Sequence, residues 1–77
     1  MNSQPYKERI TVDPNLMLGK PVIKGTRITV ELILKKLSED MPFEDLLKAY
    51  PHLTKDDILA ALSYSADVIS QEELIAS

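Results

Sequence analysis

There is no cysteine in these 77 residues and no tryptophan, and only one phenylalanine, one histidine and two glycines. Without thiols there is no disulfide scaffold and no thiolate zinc site, and nothing points to secretion. No apolar run approaches the roughly 18 residues that a membrane span needs. Met1 to Glu8 is polar and lacks the apolar core of a signal peptide. The expectation is a cytoplasmic protein with no membrane partner. Catalytic groups are as scarce. His52 follows a proline, and no serine stands in a nucleophile-elbow context. Asp56 and Asp57 are adjacent, so on a helix their side chains diverge by about 100° and do not share a metal. No phosphate-binding glycine loop is present. No enzyme, no cofactor and no metal are expected.

What is present is charge, unevenly placed. The net charge of −3 hides two halves of opposite sign. Through Lys36, seven basic residues face three acidic ones, a balance of +4; from Leu37 onward two face nine, a balance of −7. One reading is a basic surface for an anionic partner and an acidic surface elsewhere; the other is helix faces that are simply solvated. At this length the chain is a single domain with a modest core, which a dimer interface would help to stabilise. Residues 1–8 lack periodicity and read as a flexible arm, leaving 9–77 as the domain.

Both glycines fall in one stretch, Gly19-Lys20-Pro21-Val22-Ile23-Lys24-Gly25-Thr26-Arg27-Ile28-Thr29-Val30. Val22-Ile23 is a β-branched run suited to a strand. Lys24-Gly25-Thr26 breaks it, and Gly25 supplies the positive φ that a hairpin bend commonly requires. Arg27 to Val30 resumes the extended pattern, with Ile28 and Val30 on one face. Upstream, Arg9-Ile10-Thr11-Val12 reads as a first short strand with Ile10 and Val12 on one face, closed by Asp13-Pro14-Asn15. Leu16 to Lys20 is read as a loop. So few strands must pack on helices or pair across a dimer.

Three helices follow in the pattern. The first starts near Thr29, a candidate N-cap, carries Val30, Ile33, Leu34 and Leu37 at helical spacing, and stops near Glu39. The second runs from Phe43 to Tyr50 with Phe43, Leu46, Leu47 and Tyr50 as its apolar face. The third has the clearest local signature: Thr54 as N-cap, Asp57 as a shortened capping-box partner, and Leu53 with Ile58 as a hydrophobic staple. It continues through Ile58, Leu59, Leu62, Ala66 and Ile69 towards Leu74. The expected core joins Ile10, Val12, Val22, Ile23, Ile28, Ile33, Leu34, Leu37, Leu46, Leu47, Ile58, Leu62 and Ala66. The fold class is α+β, mainly α: short N-terminal strands with a hairpin, then a three-helix, helix-turn-helix-like bundle.

The strings GKPVIKGTRITVELIL, RITVDP and YPHLTKDDILAAL resemble the domain-of-unknown-function 433 family of small prokaryotic proteins, from about Arg9 to Ala66. The resemblance implies a helix-turn-helix-like fold, a homodimer, and the antitoxin role in a toxin–antitoxin pair with a PIN-like ribonuclease toxin, with operator DNA as a further partner. Where the family usually has glycine after the first helix, this chain has Asp40, so its turn there is expected to differ slightly.

Two surfaces are candidates for those partners. In a helix-turn-helix the second helix of the pair reads DNA by its N-terminal residues, but here that helix begins Lys55-Asp56-Asp57, which phosphate would repel. The basic bend is the better nucleic-acid candidate: Lys20, Lys24, Gly25, Thr26 and Arg27, with Arg27 suited to bidentate contact with guanine. The alternative is a turn merely solubilised by its charges, with Thr26 bonded to its own backbone. The second surface is C-terminal, where Val68, Ile69, Glu72, Leu74 and Ile75 offer an apolar, acidic face to a protein partner. There, too, a ribonuclease and a second copy of the chain remain alternatives.

Overall fold

The structure, a computed structural model, describes residues 5–76, with side chains for residue 6 and residues 8–71. In chain order come a 3₁₀ turn (Pro5–Glu8), β1 (Ile10–Thr11), a second 3₁₀ turn (Met17–Gly19), β2 (Val22–Ile23), α1 (Val30–Ser38), α2 (Phe43–Ala49) and α3 (Lys55–Ala76). β1 and β2 pair antiparallel, Ile10 opposite Ile23 and Thr11 opposite Val22. The mainly helical α+β class expected from the pattern is therefore present.

The strands differ in detail. The run from Arg27 to Val30 shrinks to a single antiparallel bridge between Val22 and Thr29, because Thr29 is also the N-cap of α1. Its hydroxyl accepts from the Leu32 amide, and the chain turns helical at once. The loop between β1 and β2 is no plain connector either. Met17, Leu18 and Gly19 have φ of 49°, 59° and 80°, a left-handed turn that costs about 1 kcal/mol or more at each non-glycine position.

Helix ends follow local chemistry closely. Asp40 takes φ 68° after α1. Its amide donates to the Leu37 carbonyl and the Met41 amide to that of Lys36, the paired bonds of a Schellman motif built on aspartate instead of glycine. At α3 the capping box closes in both directions: the Thr54 amide donates to Asp57 Oδ2 at 3.0 Å, and the Asp57 amide to Thr54 Oγ1 at 3.1 Å. Leu53 and Ile58 are both buried in the core, as a staple should be.

The core gathers Ile23, Val30, Ile33, Leu46, Leu53, Ile58 and Ala61, with Ile10, Ile28, Leu34, Leu37 and Leu47 packed against it. Val22 is fully buried as expected, and three expected members are exposed. Val12 is exposed because β1 ends before it. Leu62 and Ala66 are exposed because α3 turns its other face inward. Apolar residues occur on both sides of this helix, and the capping-box aspartate sets its rotation. Asp57 is buried, accepting from Arg9 Nη1 at 3.1 Å, which brings Ile58 and the small Ala60 and Ala61 against the body.

Part of the expected N-terminal arm is also fastened down. The Tyr6 hydroxyl donates to Asp67 Oδ2 at 2.8 Å, and its ring packs edge-on against Tyr64 at 5.4 Å. Residues 1–4 lie outside the described part.

Candidate functional site

The bend between β2 and α1 is built from its own short bonds. Gly25 adopts φ 80°, with nothing within 4 Å of where a Cβ would stand. The Ile23 amide donates to the Ile28 carbonyl at 2.9 Å, and the Thr26 amide to that of Ile23 at 3.0 Å. Thr26 Oγ1 donates to the Ile23 carbonyl and accepts from the Ile28 amide. The hydroxyl is thus engaged in holding the turn. Lys24 and Arg27 stand exposed on either side of it. Among the described residues neither has an acidic partner within salt-bridge distance.

Lys20 is placed differently. Its ammonium lies 2.8 Å from Glu31 Oε1 on the first turn of α1. That hydrogen bond holds the Glu31 carboxyl below the usual carboxylate range. The pair is exposed and so worth little in water. Of the five residues expected at a nucleic-acid surface, the structure leaves Lys24 and Arg27 with free charge; Lys20 is paired, and Gly25 and Thr26 shape the turn. Beside them His52, from the turn between α2 and α3, joins Leu16, Gly25, Thr26, Arg27 and Ile28 around a shallow depression.

The N-terminus of α3 is closed to such a role by its own contacts. Asp57 is occupied by Thr54 and Arg9, and Arg9 Nη2 also lies 3.6 Å from Asp56 Oδ2. The purpose of Arg9 is concealed in the sequence. Its partner is 48 positions away, and no local pattern announces it.

The second surface lies between α1 and α3. Pro21, Val30 and Leu34 on one side and Tyr64, Val68 and Ile69 on the other line an apolar groove, with the Lys20–Glu31 pair at its rim. Val68 and Ile69 are exposed, Ile69 by 58%. Glu72, Leu74 and Ile75 belong to the last turns of α3, with side chains outside the described ones. A further apolar set, Leu59 and Leu62, is exposed on the outer face of the same helix. Among the described residues there is no cluster of three or more potential metal ligands, and no helix is long and apolar enough to cross a membrane.

The sequence pattern of a family described as a protein of unknown function (DUF433) matches residues 10–65. An uncharacterised protein of Archaeoglobus fulgidus is 67% identical over 24 residues, spanning 31% of this chain and 67% of that one. The crystal structure of a DUF433 member from Anabaena variabilis superposes with a TM-score of 0.78 at 31% identity. That match covers 96% of this chain and 74% of the other.

Proposed function

The chain belongs to the DUF433 family, and from that premise we propose that it is a binding protein, the antitoxin of a type II toxin–antitoxin pair. In this reading it neutralises a PIN-like ribonuclease by direct contact, and as a homodimer represses its own operon through the Lys24–Arg27 bend. The observation that carries the protein-binding half is the apolar groove between α1 and α3. Over the buried Val30, the side chains of Leu34, Val68 and Ile69 line a surface that a small domain gains nothing by leaving in water. The sequence of the same helix goes on to Glu72 and Glu73, and in this reading that acidity suits a partner with basic residues around its binding site.

A second reading, a protein-interaction module with no DNA role, is favoured by the start of α3. A helix that presents Asp56 and Asp57 at its N-terminus is ill suited to the major groove, so DNA binding rests on the bend alone.

Co-expression with the product of the neighbouring open reading frame, then affinity purification and mass measurement, tests the first reading. A stable complex that relieves growth inhibition is expected, and Val68→Glu with Leu34→Glu should abolish it. Absence of any complex, with no effect on growth, would overturn it.

A further inference from the structure

The depression beside the bend joins three stretches that are far apart in sequence. Leu16 comes from the connection between β1 and β2, Gly25 to Ile28 from the bend, and His52 from the turn between α2 and α3. It measures about 600 Å³, within the range of small-ligand sites, and opens to solvent. Its lining has two parts. Leu16 and Ile28 are half-buried and apolar, and the exposed His52 adds a flat aromatic ring beside them. Arg27 supplies the charge, with the exposed Lys24 next to Gly25, and none of the lining residues is acidic. The amides of Gly25 and Arg27 make no hydrogen bond among the described residues. Two N–H donors are thus left beside a guanidinium, a set that suits phosphate oxygens.

We propose that this depression holds a single unstacked nucleotide. Its base lies on the apolar lining and the His52 ring, and its phosphate on Arg27, the two free amides and Lys24. A duplex keeps its bases stacked inside and offers only sugar and phosphate, which leaves Leu16, Ile28 and the His52 ring without use. A bare inorganic anion leaves the same residues in water. An unstacked base brings the flat apolar face that they match, and histidine is one of the rings on which such bases stack. A single strand and a free nucleotide carry this same chemistry. The site goes beyond the operator reading, which needs only Lys24 and Arg27 on duplex phosphates, and it does not involve the groove between α1 and α3.

Fluorescence anisotropy of the full chain tests it with three probes at low salt. These are a short labelled oligothymidylate, the same strand paired with its complement, and thymidine monophosphate as a competitor. The single strand should bind, and His52→Ala should weaken it about tenfold, as the loss of one stacked base does. The slope of log affinity against log salt should not change, because the ring neutralises no phosphate. Lys24→Ala should instead lower that slope by about 0.7. His52→Phe keeps a flat ring and should retain the binding that His52→Ala loses. His52 is exposed, so both variants should keep the native circular dichroism. Competition by the monophosphate as strong as by the unlabelled strand would assign the site to a free nucleotide, and weaker competition to a strand. Strand binding indifferent to His52→Ala, His52→Phe as weak as His52→Ala, or no binding of strand or monophosphate at about 100 µM protein would each overturn the proposal. Duplex binding is read in the same titration and needs no His52, so the operator reading and this one fail separately.

Discussion

The start of α3 and the bend before α1 carry opposite charges and dispose of them in opposite ways. At α3, Asp57 is buried, capped by Thr54 and paired with Arg9. At the bend, Thr26 and Gly25 do the structural work, while Lys24 and Arg27 stay exposed and unpaired among the described residues. Asp57 at the start of α3 is thus committed to folding, and the basic bend is free for something else. A charge run read only by sign would have assigned the two regions equal standing.

Asp57→Ala should break that contrast most sharply. It removes the carboxylate half of the capping box, though the amide of residue 57 can still donate to Thr54 Oγ1, and leaves Arg9 without its nearest carboxylate. Losing part of a cap costs some of the roughly 0.5–2 kcal/mol of a whole one, and removing the buried partner of Arg9 adds to it, so a total of about 2 kcal/mol is expected. For a domain of this size that lowers Tm by roughly 10 °C. Asp57→Asn keeps an acceptor for the amide and should fall between the two in a thermal melt.

Next come two positions of positive φ. Gly25→Ala meets no atoms, so its cost is backbone strain alone, about 1 kcal/mol in a urea titration. Asp40→Gly should act in the other direction. The Schellman geometry is already present with aspartate at φ 68°, and glycine there should stabilise by several tenths of a kcal/mol. If Gly25→Ala proved neutral, the bend would be looser than its hydrogen bonds imply.

What the sequence disclosed follows the range of the interactions. Caps, staple and bend are local, set by residues within five positions of one another. They were legible down to Thr29, Thr54 and Asp57. The rotation of α3 was not. Ile58 with Ala61, and Leu59 with Leu62, are equally good apolar faces on periodicity alone. The choice between them depends on Arg9, 48 positions from Asp57. Tyr6 was hidden for the same reason, since its partner Asp67 is 61 positions on. At the candidate surfaces the charges of Lys24 and Arg27 could be read directly, whereas the pairing of Lys20 with Glu31 needed the bend to fold first.

Lys24→Ala with Arg27→Ala should leave stability within about 0.5 kcal/mol, as expected for exposed residues without partners. Its effect belongs to binding. Retention of the native chain on duplex DNA at low salt should drop, and the slope of log affinity against log salt should fall by about two. An unchanged elution would make the bend a solubilised turn and leave the chain a protein-binding module alone.

The smallest expected effect concerns Lys20, the basic residue that lies between the two cases. Its bond holds the Glu31 carboxyl below the ordinary range, so the folded state binds that proton less readily than the unfolded chain does. The contribution is therefore present above the ordinary carboxylate range of the unfolded chain and disappears as pH falls through the lower folded value. Both groups are exposed, and water screens the pair strongly. Stability curves of the native chain and Glu31→Gln should accordingly differ slightly at neutral pH and converge in acid. At neutral pH the same substitution releases Lys20, moving it from the committed charges to the free ones. DNA retention should then rise slightly in Glu31→Gln if Lys20 lies within reach of the phosphates that Lys24 and Arg27 contact. It should stay level if the bend alone makes the surface.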